Sequence, residues 1–354
     1  MPNHSSNEVL GFIDQVVRRD FDSNRRVLSY EEYLALVGEQ PQSQLRGSAK
    51  AMLDMMEHFG KTPVKPTSAA AQLSQPGSNL YRFHVFDQAI DASNRRVVGQ
   101  ELVQNQIYNA LRTFVRQGLN NKLILLHGPN GSAKTSIVHA MMAGMERFSH
   151  EPQGAMYTFN WVFPVERYTK GGMGMNVNTY SSGTGGNTAS SRDQTSYAKL
   201  PDEEIASRIS CDMRDHPLLL IPVDQRRAFL DKLLGAAKAE EIWHTMPQYL
   251  TRGGPCHRCK QIADSLLNAN HGDFRKVLAH VQVERFYLAR RYREGLVTVE
   301  PQMHVDASYQ QLTMNKSLGA LPASLQSLNL FALGGDLVDG NRGVVEYSDL
   351  LKRP

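Results

Sequence analysis

The stretch Leu123-Ile124-Leu125-Leu126-His127-Gly128-Pro129-Asn130-Gly131-Ser132-Ala133-Lys134-Thr135 decides the expected fold. Four consecutive apolar residues that run into a Gly/Pro/Asn turn signal predict a buried strand. Beyond the turn, Ile137, Met141, Met142 and Met145 begin an amphipathic helical pattern. Strand, glycine-containing loop and helix, in that order, make a phosphate-binding loop. Such a loop aims backbone N–H groups at phosphate oxygens, so Gly128, Pro129, Asn130, Gly131, Ser132 and Ala133 are candidate nucleotide contacts. Lys134 is the candidate for the outer phosphates and the Thr135 hydroxyl for Mg²⁺. The common pattern is G-x-x-x-x-G-K-[ST], and Ala133 stands where the glycine before the lysine belongs. If that position needs a positive φ, the methyl group adds about 1–2 kcal/mol of strain.

Outward from this motif, Val103, Ile107, Leu111 and Val115 repeat every four residues and predict a helix before the strand. Residues 1–60 read as a small helical segment, with Ser29-Tyr30-Glu31-Glu32 resembling an N-cap and Ala49, Met52, Leu53 and Met56 on one helical face. Residues 61–80, rich in Pro, Ser, Thr and Gln, read as a linker, and residues 81–354 as the main domain. Within it, residues 156–163 predict a strand, and the Gly/Ser/Thr/Asn-rich residues 171–196 predict a mobile insertion. Helical periodicity returns at residues 225–234 and again from Phe274 to Val281, where Arg285, Arg290, Arg291 and Arg293 read as a basic, solvated end. His84 and Trp161 lie in apolar surroundings and read as core or interface residues. The expected architecture is a three-layer α/β P-loop domain of the AAA+ type, a mostly parallel sheet with helices on both faces, preceded by the helical segment.

Composition sets the outer bounds. The chain has 354 residues, 41% apolar and 21% charged, with no uninterrupted apolar run of membrane-spanning length. Asp14, Arg18, Arg19 and Asp20 interrupt the N-terminal region in a way that fits no secretory signal, so the expected address is the cytoplasm. A net charge of +4 with both signs well mixed gives no reason to expect nucleic acid as the main partner.

Hydrolysis or transfer of a phosphoryl group calls for an acidic strand end near the nucleotide. No apolar strand ends in Asp-Glu; the nearest candidate is Val344-Val345-Glu346-Tyr347-Ser348-Asp349. There Asp349 is the candidate to act on water, and Glu346 or Ser348 to assist the Mg²⁺; ordinary surface acids at a strand end are the alternative. Three cysteines exclude a disulfide framework. Cys256 and Cys259, spaced C-x₂-C, together with the distant Cys211, offer three thiolates for Zn²⁺, with His257, His271 or His280 as a possible fourth ligand. A redox pair and a plain turn with free thiols are the competing readings.

Several of these marks in sequence order resemble the N-terminal AAA-type domain of the PrkA bacterial serine protein kinases. They are Val98-Gly99-Gln100 before the loop, Cys211-Asp212-Met213 leading into His216-Pro217-Leu218-Leu219-Leu220-Ile221-Pro222, and Pro255-Cys256-His257-Arg258-Cys259. His280-Val281-Gln282-Val283 and Asn341-Arg342-Gly343-Val344-Val345-Glu346-Tyr347 follow. The resemblance spans roughly Tyr30 to Lys352. It implies ATP and Mg²⁺ as ligands, proteins phosphorylated on serine as substrates, a role in bacterial stress signalling, and a possible homo-oligomer. It also implies that further sheet strands and a helical lid would follow Pro354, so the chain reads as an incomplete piece of such a protein. Nothing matches the eukaryotic-type kinase motifs. An ATPase or a regulatory nucleotide-binding subunit is the other class of function the motif allows, and a nonfunctional remnant the third.

Overall fold

The computed structural model describes residues 10–11, 13–15, 17, 27–64, 80–89, 96–120, 122–165, 196–300, 307–311, 325 and 330–349. Its strands are β1 (Val27–Ser29), β2 (Lys61–Val64), β3 (Leu80–Phe83), β4 (Met156–Pro164), β5 (Ile205–Ser210), β6 (Val281–Phe286), β7 (Leu296–Val299), β8 (Ser308–Gln311), β9 (Phe331–Gly334) and β10 (Val344–Tyr347). The principal helices are α1 (Tyr30–Glu39), α2 (Ser48–His58), α3 (Glu101–Gln117), α4 (Lys134–His150), α5 (Val223–Leu234), α6 (Ala236–Thr245), α7 (His257–Ala269) and α8 (Phe274–Ala279).

The largest sheet has four strands in the order β1-β6-β4-β5, and each neighbouring pair runs antiparallel. β2 pairs antiparallel with β3 and β8 with β9; β7 with β10 is the one parallel pair among the described residues. This mixed α/β architecture overturns the mostly parallel, three-layer P-loop sheet expected from the sequence. That expectation needed Leu123–Leu126 to be an inner strand. The segment belongs to no strand, and Leu123 and Leu125 are 62% and 64% exposed; only Leu126 packs partly against a core. A short apolar run reads the same whether or not a neighbour pairs with it, because pairing partners lie far away in sequence.

The sheet centre is β4, buried at all nine positions. Side chains alternate across a strand, and Tyr157, Phe159, Trp161 and Phe163 all enter a core shared with α1, α5, α6 and α7. Met156, on the opposite face, joins a second core built from α2, α3, α4 and β3. Trp161 is fully buried, as its apolar surroundings predicted. β6 corrects a second expectation, because the helical pattern from Phe274 stops at Ala279 and the chain becomes an inner strand. Asp273 caps α8 by accepting the N–H groups of Arg275 and Lys276, after which Val281 and Val283 alternate inward as β-branched residues do. Arg285 is therefore on a strand, donating to Ser149 O and Glu151 O at the C-terminal end of α4 at 2.8 and 3.0 Å. Arg290, Arg291 and Arg293 sit in the turn between Ala289 and Glu294, where Arg293 pairs with Asp336. None of the four forms the solvated end of a helix.

Elsewhere local signals hold. Ser29 Oγ accepts the Glu32 N–H, and the Glu32 carboxylate accepts the Ser29 N–H, a reciprocal box that starts α1. Ala49, Leu53 and Met56 are buried on one face of α2. The expected linker is ordered at both ends, where β2 and β3 pair; residues 65–79 lie outside the described residues, as do 171–195 of the expected insertion. Two buried amides of α3 complete the free edge of β3. Asn105 bonds the N–H and C=O of Tyr81 at 3.1 and 2.6 Å, and Gln104 accepts the Phe83 N–H at 3.1 Å. Gly144 lets α4 approach this layer closely, since a Cβ there would lie 2.5 Å from Val85 and 2.9 Å from the Met55 sulfur.

Candidate functional site

The loop from Gly128 to Ala133 delivers the chain into α4, which starts at Lys134. Gly131 has φ +81°, and Ala133, the residue immediately before the helix, has φ 61°. The positive φ anticipated at this alanine is present, in the left-handed region where a side chain costs about 1–2 kcal/mol. Replacing Ala133 by glycine is therefore expected to raise stability by up to about 1 kcal/mol, the relieved strain being partly offset by the greater entropy that glycine loses on folding. Urea unfolding checks this, and a loss of stability would contradict the strain assignment.

Lys134 Nζ donates to the carbonyls of Gly128 and Pro129 at 2.9 and 2.8 Å, so its ammonium lies over its own loop. Ser132 Oγ donates to Pro129 O at 2.8 Å. Thr135, in the first turn, is exposed. The loop therefore presents a helix N-terminus, a lysine and a free-standing hydroxyl residue on one accessible end of α4.

The acidic strand faces the same helix. Glu346 on β10 accepts a hydrogen bond from the Thr298 hydroxyl at 2.8 Å and faces His139 of α4 at 3.6 Å. Leu288 N–H donates to Ser149 Oγ, and Arg290 N–H to Glu146, which places the entry to β7 at the far end of α4. Because β7 and β10 run parallel, both strands travel from the C-terminal end of α4 toward its N-terminus. Asp349 lies in the turn that follows β10, exposed and with φ 47°, and the Glu346 carboxylate is engaged by Thr298 and His139.

A second cluster lies at the other side of the main sheet. Cys211 follows β5, and Cys256 and Cys259 occupy the N-terminal turn of α7. Despite 45 residues of separation, Cys211 Sγ is 3.8 Å from Cys256 Sγ. Asp215 completes the group, and the four ligand atoms all lie within 4.8 Å of one another. These four residues can hold a metal ion such as zinc. The three histidines considered as a fourth ligand are not members of this cluster; His280 instead contacts Val162 O at 2.9 Å.

The titratable groups of the cluster share charge unevenly. Burial first, and then the facing Cys256, push the Asp215 carboxyl up to about 7. Cys256 is held well below the usual thiol range by hydrogen bonds from Cys211 and Cys259, while the Cys211 thiol is pushed far up by donating to Cys256. Sequence reasoning missed Asp215 because a lone aspartate four residues after a cysteine is not a distinctive pattern. Asp215 also lines a cavity of about 380 Å³ shared with Lys50, His216, Tyr249, Asn341 and Arg342.

A search of protein-family models, of curated proteins and of solved structures found no match to this chain. Among the described residues, no helix is long and apolar enough to cross a membrane.

Proposed function

We propose that this chain binds ATP with its phosphates on the Gly128–Thr135 loop and directs the terminal phosphoryl group to an acceptor. The observation that carries the reading is the turn at Ala133, where a left-handed residue feeds directly into a 17-residue helix whose first residue is Lys134. A helix N-terminus of this kind favours anions through its unpaired N–H groups and its dipole. Phosphate oxygens would replace the Gly128 and Pro129 carbonyls as partners of the Lys134 ammonium. Thr135 is the residue to hold Mg²⁺, which when bound neutralises charge on the outer phosphates.

The resemblance to the PrkA-type kinases supplies protein serine as the acceptor. In that reaction the serine oxygen bonds to the γ-phosphorus as the bond to the β–γ bridging oxygen breaks, releasing ADP, and Asp349 takes the hydroxyl proton. Asp349→Asn is expected to lower turnover at least about a hundredfold, in the range typical of a lost general base, while leaving ATP affinity within about twofold. The assay follows radiolabelled γ-phosphate into inorganic phosphate and into protein serine. ATP consumption with no phosphoserine would replace the kinase reading with an ATPase or a regulatory nucleotide-binding subunit. No turnover above background by either route would remove the catalytic claim.

A further inference from the structure

We infer that Cys211, Asp215, Cys256 and Cys259 form a closed, structural zinc site, independent of the phosphate loop, that fastens the end of β5 to the start of α7. Tetrahedral zinc with Zn–S bonds of about 2.3 Å sets neighbouring sulfurs about 3.8 Å apart. The Cys211–Cys256 separation is 3.8 Å, far outside the ~2.05 Å of a disulfide. Three sulfurs and one carboxylate oxygen give four protein ligands, the number at which structural zinc sites close. Soft thiolates with one hard oxygen suit zinc, whereas calcium and magnesium take oxygen ligands and an iron–sulfur cluster is ordinarily held by four thiolates.

The surroundings are arranged for thiolates rather than thiols. The Asp215 N–H donates to Cys211 Sγ at 3.2 Å, and the Trp161 indole N–H points at Cys259 Sγ at 3.5 Å. Cys256 and Cys259 sit at the positive end of α7, which favours the ionised sulfur. The Cys256 N–H donates to Asp215 Oδ2 at 2.6 Å and orients that carboxylate within the cluster. Arg258, between the two helix cysteines, donates to Ser210 O and to Asp212 Oδ1, and Asp212 in turn accepts the Leu333 N–H at 2.8 Å. These bonds hold the Cys211 loop against α7 from outside the ligand set, the supporting role that surrounding groups play at metal centres. Zn²⁺ displaces to solvent whatever protons the cysteine sulfurs and the Asp215 carboxyl carry, and no electron is transferred.

The full chain, purified with a thiol reductant and without chelator, is expected to carry close to one zinc per chain by mass spectrometry of metals. Cys256→Ala, at the half-buried ligand, is expected to reduce this to near zero. Since that variant can lose its fold, zinc-free wild type is also titrated with Co²⁺. The expected result is the intense visible spectrum of tetrahedral cobalt with sulfur-to-metal charge transfer, abolished by one equivalent of Zn²⁺. Lys134→Ala is expected to keep both signals, which separates this site from the nucleotide reading. Reduced wild type that carries no metal and gives cobalt only the weak spectrum of an octahedral ion would overturn the assignment, as would a Cys211–Cys256 disulfide found under the same reducing conditions.

Discussion

Lys134→Ala is expected to weaken Mg-ATP binding by about a hundredfold while leaving the fold intact. The ammonium makes its hydrogen bonds to Gly128 O, Pro129 O and Ser132 Oγ, all within its own loop. Its removal therefore disturbs no core residue. A charge-assisted hydrogen bond contributes roughly 1.5–3 kcal/mol, and about 2.7 kcal/mol corresponds to a hundredfold change in affinity. Calorimetric titration of both proteins with Mg-ATP, alongside their circular dichroism, reads the effect. Equal affinities in two equally folded proteins would mean that any nucleotide site lies elsewhere.

The largest stability effect is expected from Arg226→Met. Arg226, on α5, is fully buried with no carboxylate among its hydrogen-bond partners. Its guanidinium instead spans four backbone carbonyls: Leu250 O at 2.6 Å and Gly253 O at 3.0 Å through one nitrogen, and Ile221 O at 2.8 Å and Leu219 O at 3.4 Å through the other. It thereby ties the short helical turn Pro217–Leu220 to the helix Gln248–Arg252 across the first core. Methionine fills much of the volume and donates nothing. Each buried carbonyl left without a donor costs about 1–3 kcal/mol, and the relief of desolvating a cation offsets part of the total. A net loss of about 3 kcal/mol or more is expected, seen as a lower midpoint in urea at unchanged slope. An unaltered midpoint would show that water replaces the guanidinium at little cost.

Local structure was legible wherever a few neighbouring residues determine it. The Ser29–Glu32 box, the apolar faces of α2 and α3, and the start of α4 after Gly131 all follow from short-range rules and appear as read. Pairing was not legible, because it depends on residues far apart. Leu123–Leu126 has the composition of a buried strand yet forms none, while Val281–Phe286, read as helix, lies beside β4 in the centre of the sheet. The metal cluster divides in the same way. Cys256 and Cys259 declared themselves by their spacing, but Cys211 was only a distant third, and Asp215 became a member through the turn after β5. The side chain that best explains how the Cys211 loop is held is Arg258, through its bonds to Ser210 O and Asp212, and its place between the two cysteines in sequence carries no sign of that role.

The most direct test of the central claim is the melting temperature of the full chain across a series of Mg-ATP concentrations, with Lys134→Ala beside it. A ligand that binds only the folded state must stabilise it, by about 2.7 kcal/mol at a hundred times its dissociation constant. The account predicts a progressive rise of several degrees in the wild type and almost none in the variant. A wild type that melts cooperatively at the same temperature at every concentration would contradict nucleotide binding at the Gly128–Thr135 loop.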